Sequence, residues 1–299
     1  MERRDFLKTM GAGAVTMAVG TGMFACKSKA ETAEQLPSFG FIGHGGPWLR
    51  DNPKESLTRI AEWGYTELEG GGSYGMDPDE AKAFLKSIGL IPMIGSASIQ
   101  VLIGDESELK TRLERALDLG QKYVACYWPW PGEAQGQKID DWKVVADNLN
   151  RGGAICKSEG IPLIYHNHDF EFFPVEGQIP YDVLVSHLDS AVGLELDLYW
   201  ITKGGQSPVE YLKKYPGRYP VLHVKDMPAD IKCGITPTDF SQLTDKDFTP
   251  IGSGCIDFAE IFRTNSISGA KHFIVENDKP ADPAVCLELS GKYLQSLSF

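Results

Sequence analysis

Histidines and carboxylates are concentrated in residues 160–172, a stretch that begins with an apolar strand pattern. Residues 161–165 read IPLIY, and His166 and His168 follow them directly. Side chains alternate along a strand, so these two imidazoles point the same way and Asn167 points the opposite way. Imidazoles next to carboxylates can hold a divalent metal ion or transfer protons. Two histidines in a polar loop are the alternative for this stretch taken alone.

Three later strand patterns end in the same residue types. Residues 194–197 read LELD, residues 221–226 read VLHVKD and residues 273–278 read FIVEND. The polar strand-end residues are Glu69, His166, His168, Asp197, His223, Lys225, Asp226, Glu276 and Asp278. One such residue can be a helix cap or an ion-pair partner. Four consecutive strands that end this way predict one shared site, and the mixed ligands suit Mn²⁺, Zn²⁺, Co²⁺ or Mg²⁺.

The elements that must position these residues alternate regularly between strand and helix. Strand patterns lie at residues 39–43, 65–69, 90–94, 123–127, 161–165, 192–197, 220–224 and 272–276, and a helical pattern follows each of them. This alternation predicts an α/β fold with one domain over residues 39–299, a (β/α)8 TIM barrel. A doubly wound sheet is the competitor, but no Gly-rich phosphate turn follows an early strand.

In such a barrel the carboxyl ends of the strands form the face that carries the chemistry. The polar strand ends are therefore expected to meet at the mouth of the barrel. The longest connection, residues 226–254, follows the seventh strand and is expected on the same face.

The N-terminal residues are predicted to direct export. Arg3 and Arg4 lie in a segment that resembles a twin-arginine motif, and residues 10–25 are apolar, rich in Gly and Ala, and too short for a good membrane-spanning helix. Residues 23–26 read MFAC and resemble a lipobox with Cys26 as the lipid-bearing residue; a signal peptide cleaved near Ala25 is the alternative. We expect an export signal over residues 1–25, a tether over 26–38, and a periplasmic protein or a membrane-anchored lipoprotein.

Net charge and cysteine content limit which binding partners and which disulfides are expected. The chain of 299 residues has a net charge of −12, which argues against nucleic acid because phosphate binding needs clustered Lys and Arg. The only expected membrane contact is a lipid on Cys26. The five other cysteines are widely spaced and contain no CxxC pair, so no disulfide is expected. A homo-oligomer is left open.

These motifs resemble those of the sugar phosphate isomerase/epimerase family, the xylose isomerase-like TIM barrels that include ketose 3-epimerases, inosose dehydratase and endonuclease IV. The resemblance covers nearly all of the chain after the export signal. It is carried by GYTELE at 64–69, YHNHDFEF at 165–172, DLYW at 197–200, HVKD at 223–226, IGSGCID at 251–257 and VEND at 275–278. The resemblance implies a divalent metal ion held by Asp197, His223 and Glu276, with His166 at the position of a family glutamate.

Two departures bear on the reaction that the resemblance implies. His166 replaces one of the two metal-binding glutamates that ketose epimerases use, and Trp200 replaces a histidine common on the sixth strand. The expectation therefore moves from strict epimerisation toward elimination or hydration, still begun by proton removal next to a carbonyl. Glu276 or His166 is the expected base, and Lys225 would stabilise an enediolate or protonate a leaving group.

The expected ligand is a sugar or keto-sugar. The residues expected to contact it are Glu69, His168, Trp48, Trp128 and Trp200; for each tryptophan, packing at the barrel rim is an equally good interpretation. Two other functions remain open: a DNA-repair nuclease, which the acidic charge and the export signal oppose, and a non-catalytic carbohydrate-binding lipoprotein on a degenerate barrel. Bound metal and proton exchange into a keto-sugar would separate an enzyme from a binder.

Overall fold

The computed structural model describes residues 34–43, 46–70, 72–132 and 136–299. The predicted export signal, Cys26, most of the predicted tether and His44 lie outside the described residues. One compact unit spans Glu34–Phe299. Two backbone hydrogen bonds, of 2.8 and 3.0 Å, join Glu34 to Phe299 within it. Within the described residues, no helix has the length and apolar character needed to cross a membrane.

Eight parallel strands close into a barrel, which confirms the predicted fold class. The strands are β1 Gly40–Ile42, β2 Glu67–Glu69, β3 Ile91–Ser96, β4 Tyr123–Cys126, β5 Leu163–His166, β6 Val192–Asp197, β7 Val221–Val224 and β8 His272–Val275. Each strand pairs with the next, and β8 closes on β1 with Phe41 opposite Val275.

Helices follow the strands as the apolar periodicity predicts. They are α1 Gly46–Asp51, α2 Pro53–Glu62, α3 Pro78–Ser87, α4 Ile99–Ile103, α5 Glu106–Asp118, α6 Ile139–Ser158, α7 Pro180–His187, α8 Leu198–Lys203, α9 Pro208–Lys214, α10 Phe258–Arg263, α11 Asn265–Ser268 and α12 Pro283–Ser296. The short helices α1, α4, α8 and α11 have only one or two turns, which is too short for a clear apolar periodicity in the sequence. Asp77 caps α3, since its carboxylate accepts the N–H groups of Asp79 and Glu80.

The interior of the barrel has an apolar floor below its polar strand ends. The floor consists of Ile42, Met93, Ile94, Ala125, Ile164, Val221 and Ile274. Ile164 lies two residues before His166, and Val221 lies two residues before His223, so these pairs share the inner face of the barrel. The polar residues therefore rest on a surface that excludes water and strengthens electrostatic interactions among them.

The long connection after β7 lies at the mouth of the barrel, as predicted. It contains 3-10 helices at Phe240–Gln242 and Asp245–Asp247, and the Phe248 ring centroid lies 5.2 Å from that of Tyr199 on α8. This segment therefore packs over the carboxyl end of β6.

Asp226 anchors this connection and does not face the barrel interior. Its carboxylate accepts the backbone N–H groups of Met227, Gly252, Gly254 and Ile256 at 2.8–3.3 Å. A Cβ at Gly254 would collide with Asp226 and with the Met227 carbonyl oxygen, so only glycine allows this approach. Asp226 thus differs from the other strand-end residues because the alternation places it on the opposite face from His223 and Lys225.

Candidate active site

Four of the predicted residues converge at the barrel mouth from consecutive strands. His166 ends β5, Asp197 ends β6, His223 lies on β7 and Glu276 follows β8. Each offers one ligand atom, and these atoms all lie within 4.8 Å of one another. All four side chains are buried. We call this group the metal-ligand set.

Asp197 is fixed so that one of its oxygens faces this set. The backbone N–H of Trp200 donates to Asp197 Oδ1 at 2.7 Å, which makes Asp197 the N-cap of α8. The backbone N–H of Asp197 donates to Asn167 Oδ1 at 3.0 Å. The outward-pointing Asn167 therefore ties the end of β5 to the end of β6, and Oδ2 of Asp197 is left for the interior.

His223 is surrounded by carboxylates from other strands. Its Nε2 lies 2.9 Å from Glu69 Oε2 and 3.3 Å from Glu195 Oε1, and its Nδ1 lies 3.1 Å from Glu276 Oε2. Tyr127 donates its O–H to Glu69 Oε1 at 2.6 Å. Glu69, Glu195 and His223 form a second group of closely spaced ligand atoms that shares His223 with the metal-ligand set.

Lys225 supplies a buried positive charge beside the set. Its Nζ lies 2.7 Å from Glu276 Oε2, 2.9 Å from Asp278 Oδ2 and 3.2 Å from Asp197 Oδ2. The Trp200 ring centroid lies 5.0 Å from the same nitrogen, within the range of a cation–π contact. The ammonium thus compensates carboxylates that would otherwise repel one another in a water-poor site.

Burial and neighbouring charges shift the pKa values of the carboxylates. Burial raises the pKa of Asp197 to about 7, against the opposing effect of Lys225. Burial also raises the pKa of Glu195 to about 8, and the nearby Glu69 carboxylate adds to the rise. Both carboxyl groups therefore hold protons more tightly than exposed ones do.

The pKa values of the basic side chains shift in opposite directions because their neighbours differ. Burial, with His223 and His168 nearby, moves the pKa of His166 well below its usual range. Burial also opposes charge on His223, but the carboxylates of Glu195, Glu69 and Glu276 outweigh it and raise the pKa of His223. Lys225 behaves like His223: burial opposes its charge, yet neighbouring carboxylates raise its pKa. The site thus favours a neutral His166 imidazole beside two cations, His223 and Lys225.

The residues present fit a divalent metal ion. Among the described residues, His166 Nδ1 is buried without a hydrogen-bond partner, and its 3.2 Å approach to Glu195 Oε2 lacks hydrogen-bond geometry. Asp197 Oδ2 and Glu195 Oε1 also form no hydrogen bond of good geometry, although they lie 3.2 Å from Lys225 Nζ and 3.3 Å from His223 Nε2. Buried polar atoms are nearly always satisfied by hydrogen bonds, so these incompletely satisfied atoms around one point are suited to holding a cation. Two imidazoles with two carboxylates suit Zn²⁺, Mn²⁺ or Co²⁺ better than Mg²⁺.

A ring of aromatic side chains, the aromatic collar, surrounds His168. The centroids of Trp128 and Phe240 lie 5.3 Å from that of His168, Phe170 lies at 5.6 Å and Trp200 at 5.7 Å. His166 is the neighbour on the inner side, at 5.0 Å. Burial, with Lys225 nearby, lowers the pKa of His168 to about 3, so its imidazole is neutral at neutral pH.

The predicted ligand-contact residues divide into three positions. We call the metal-ligand set together with Glu69, Tyr127, Glu195 and Lys225 the inner cluster. Glu69 thus lies within the inner cluster, whereas His168, Trp128 and Trp200 belong to the aromatic collar. Trp200 is 1% exposed and reaches the site through its ring over Lys225. Trp48 is not brought to the site by any described contact, since it stacks on Trp63 beside α2 at 6.1 Å.

Two residues of the inner cluster were not among the predicted site residues. Glu195 precedes Asp197 by two positions and shares its inner face, so strand alternation alone could have indicated it. Tyr127 follows β4 in the same way, but a tyrosine among apolar residues gives no separate signal of a polar contact. The site therefore contains more carboxylates than the resemblance implied.

Comparison with known proteins identifies the class to which this fold and site belong. A sequence profile described as xylose isomerase-like TIM barrel matches residues 57–288. The chain therefore belongs to the xylose isomerase-like TIM barrel family, which confirms the resemblance. The chain is 32% identical over 243 residues to an inosose dehydratase from Geobacillus kaustophilus, covering 74% of this chain and 77% of the relative.

Solved structures agree with this assignment. A sugar phosphate isomerase/epimerase from Parabacteroides distasonis aligns with a TM-score of 0.71 and 26% identity, over 89% of this chain and 96% of that chain. An IolI protein with a bound zinc atom shares the fold with a TM-score of 0.62 and 18% identity, over 85% of this chain and 95% of that chain. The relatives of this chain are sugar-modifying enzymes.

Proposed function

We propose that this protein is a divalent-metal-dependent enzyme that acts on a sugar or keto-sugar by removing a proton next to a carbonyl. The resulting enediolate is either reprotonated, which gives isomerisation or epimerisation, or expels a neighbouring hydroxyl, which gives a lyase. The observation that carries the proposal is the convergence of His166, Asp197, His223 and Glu276, whose ligand atoms all lie within 4.8 Å of one another. The inosose dehydratase relative supports the substrate class.

The metal-ligand set would hold the ion. When bound there, a divalent ion polarises a carbonyl and offsets negative charge on the adjacent oxygen. The dry floor beneath the set excludes water and makes each neighbouring charge more effective. The aromatic collar covers the mouth and offers apolar surface to the C–H face of a ring.

Residues of the inner cluster would transfer the protons. Glu276 is the first candidate base, and His166, with a pKa below its usual range, is the second. Lys225 Nζ lies 2.7 Å from Glu276 Oε2, so a base and a cationic acid are adjacent. The Lys225 ammonium can stabilise an oxyanion or give a proton to a departing hydroxyl.

A keto-sugar dehydratase of the inosose dehydratase type is the second candidate for the reaction. One observation favours it: β5 ends in His166, so one of the two glutamates that a two-base epimerisation needs is absent at that position. Glu276 and Lys225 together supply the base and the acid that elimination of water requires. The relative from Geobacillus kaustophilus carries the name of this activity.

The cellular location is also proposed from the sequence. We infer export through the Arg3-Arg4 motif, followed by residence in the periplasm or at the membrane through a lipid on Cys26. A non-catalytic carbohydrate-binding lipoprotein remains the competing function, and it requires neither metal nor proton exchange.

Metal analysis followed by proton exchange tests the proposed function. Purified protein is assayed for bound metal and then mixed in D₂O with a panel of keto-sugars that includes an inosose, and NMR follows deuterium entry beside the carbonyl. We expect metal-dependent exchange that Glu276→Gln abolishes and that the surface control Glu288→Gln retains. Absence of both bound metal and exchange in every keto-sugar would favour the non-catalytic binder.

A further inference from the structure

A groove of about 730 Å³ opens beside the aromatic collar. Partly exposed rings of Trp128, Phe170, Phe173 and Phe240 line it over the buried rings of Trp130 and Trp142. Pockets of ~300–1,000 Å³ enclose ligands of drug size, so this groove has room for a sugar ring.

The groove adjoins the candidate active site across the His168 ring. Trp128, Phe170 and Phe240 line the groove, and each also contacts the His168 ring at centroid distances of 5.3–5.6 Å. His168 in turn lies 5.0 Å from His166. The His168 ring therefore lies between the metal-ligand set and the groove, so a ligand that occupied both would pass along this ring.

The lining indicates a neutral ligand with apolar faces and polar edges. Among the described lining residues, Asp239 is the one charged side chain, so nothing in the groove would bind a phosphate or carboxylate. Aromatic rings stack on the C–H faces of sugar rings, and the side chains of Thr238, Asp239 and Ser241 place hydroxyl and carboxylate oxygens at one edge. Stacking faces with hydroxyl-binding edges are the features that recognise a carbohydrate.

The two walls of the groove are held in place by hydrogen bonds. Thr238 donates its backbone N–H and its O–H to the buried Asp169 Oδ2 at 2.9 and 2.6 Å, which fixes the segment that carries Phe240. On the other wall, Trp142 Nε1–H donates to the Gly136 carbonyl oxygen at 3.3 Å. Both walls are ordered before a ligand arrives, which lowers the entropic cost of binding.

We propose that this groove is a subsite for a second sugar ring, so that the substrate is a keto-sugar that carries a neutral glycosidic substituent. This assignment rests on the proposed function for the ring at the metal-ligand set. It adds the substrate class: a keto-glycoside or keto-disaccharide in preference to a free monosaccharide.

Binding of unreacted sugars tests the subsite without turnover. Calorimetry compares glucose with cellobiose and maltose on the full metal-loaded protein and on two variants. Ser241→Trp places a ring in the groove from an exposed position, and Ser87→Trp, at the exposed end of α3, is the matched control. We expect a disaccharide to bind at least about tenfold more tightly than glucose, the equivalent of one aromatic contact. Ser241→Trp should remove this advantage and Ser87→Trp should keep it.

Equal binding of mono- and disaccharides, no disaccharide binding, or an advantage that survives Ser241→Trp would each overturn the subsite. Different outcomes would contradict the proposed function and the subsite. If disaccharides bind in the groove but keto-sugars show no proton exchange, the reaction is wrong and the subsite stands. If keto-monosaccharides exchange protons and disaccharides gain nothing in binding, the reaction stands and the subsite is wrong.

Discussion

Lys225 Nζ lies 2.7 Å from Glu276 Oε2 in a pocket that buries both side chains, beneath the ring of Trp200. Asp197 and Asp278 share the same ammonium. Within the described site, this lysine is thus the cation that holds three carboxylates together where a divalent ion would also reside. The first prediction concerns the removal of this buried charge.

Lys225→Met should strongly destabilise the metal-free protein, because it leaves buried carboxylates without their cation. Breaking a buried charge pair costs ~3–5 kcal/mol of unfolding free energy. Added Zn²⁺ or Mn²⁺ should recover part of this loss by supplying positive charge. Urea unfolding with and without metal measures both effects, and Lys292→Met, which removes an exposed lysine, should change little. Equal stability of Lys225→Met and Lys292→Met would show that Lys225 is not the compensating charge.

Removing any member of the metal-ligand set should weaken metal binding by at least about tenfold, since substitutions of even the supporting residues around a metal cost that much. Titration of metal into Asp197→Ala, His223→Ala and Glu276→Gln tests this. We expect a preference for Zn²⁺, Mn²⁺ or Co²⁺ over Mg²⁺, because two ligands are imidazoles. Glu288→Gln is the surface control. Wild-type affinity in all three site variants, or no metal binding by the wild type, would contradict the proposal.

Metal affinity should rise with pH between about 6 and 8, because carboxylates must lose their protons before they coordinate a metal. The pKa of Asp197 is raised to about 7 by burial, so protons compete with the ion across this range. Calorimetric titrations at several pH values give the slope. Asp118→Asn, at an exposed carboxylate, should leave the slope unchanged. A pH-independent affinity would contradict the assignment of Asp197 as a ligand.

Stability of the metal-free protein should fall as pH rises toward 8. The pKa values of Asp197 and Glu195 are raised to about 7 and about 8, above the usual ~4 of the unfolded chain. A raised carboxyl pKa contributes stability that is fully present below the unfolded pKa and is lost as pH rises through the folded pKa. Unfolding curves of wild type and Asp197→Asn check this, and the variant should show the flatter profile. Parallel profiles of stability against pH for the two proteins would contradict this prediction.

Asp226→Ala should loosen the long connection that covers the mouth. The lost carboxylate accepts four backbone N–H groups, and each hydrogen bond to a charged group contributes ~1.5–3 kcal/mol. We expect faster proteolysis within residues 228–250 and weaker sugar binding. Asp230→Ala changes an exposed aspartate of the same segment and should behave like the wild type. Equal cleavage rates for the two variants would argue against the anchor.

Export should depend on the paired arginines. Arg3→Lys combined with Arg4→Lys should leave the protein in the cytoplasm with residues 1–25 attached, as cell fractionation and mass spectrometry can show. Cys26→Ser should release the protein from the membrane only if Cys26 carries a lipid. Unprocessed cytoplasmic wild-type protein in its native host would overturn the export assignment.

The alternation of side chains along a strand explains why much of the site could be predicted from the sequence. Residues two apart, such as Asp197 and Glu195 or His223 and Lys225, share a face, and the barrel topology brings consecutive strand ends together. The same rule separates Asp226 from His223, although the sequence shows only that both end the same strand. The same alternation also places Glu195 on the inner face, two residues before the end of the strand.

The amino-acid sequence is sufficient to predict the barrel, the residues that face its interior and the group of strand ends that meets at its mouth. These follow from local periodicity and from a topology that permits few arrangements. Three contacts become visible only in the folded chain: Trp48 packs outside with Trp63, Trp200 covers Lys225, and Phe240 joins Trp128 to form a groove. Those contacts join side chains on loops and helices far apart in the chain, where no repeating period fixes direction and packing alone selects the partner.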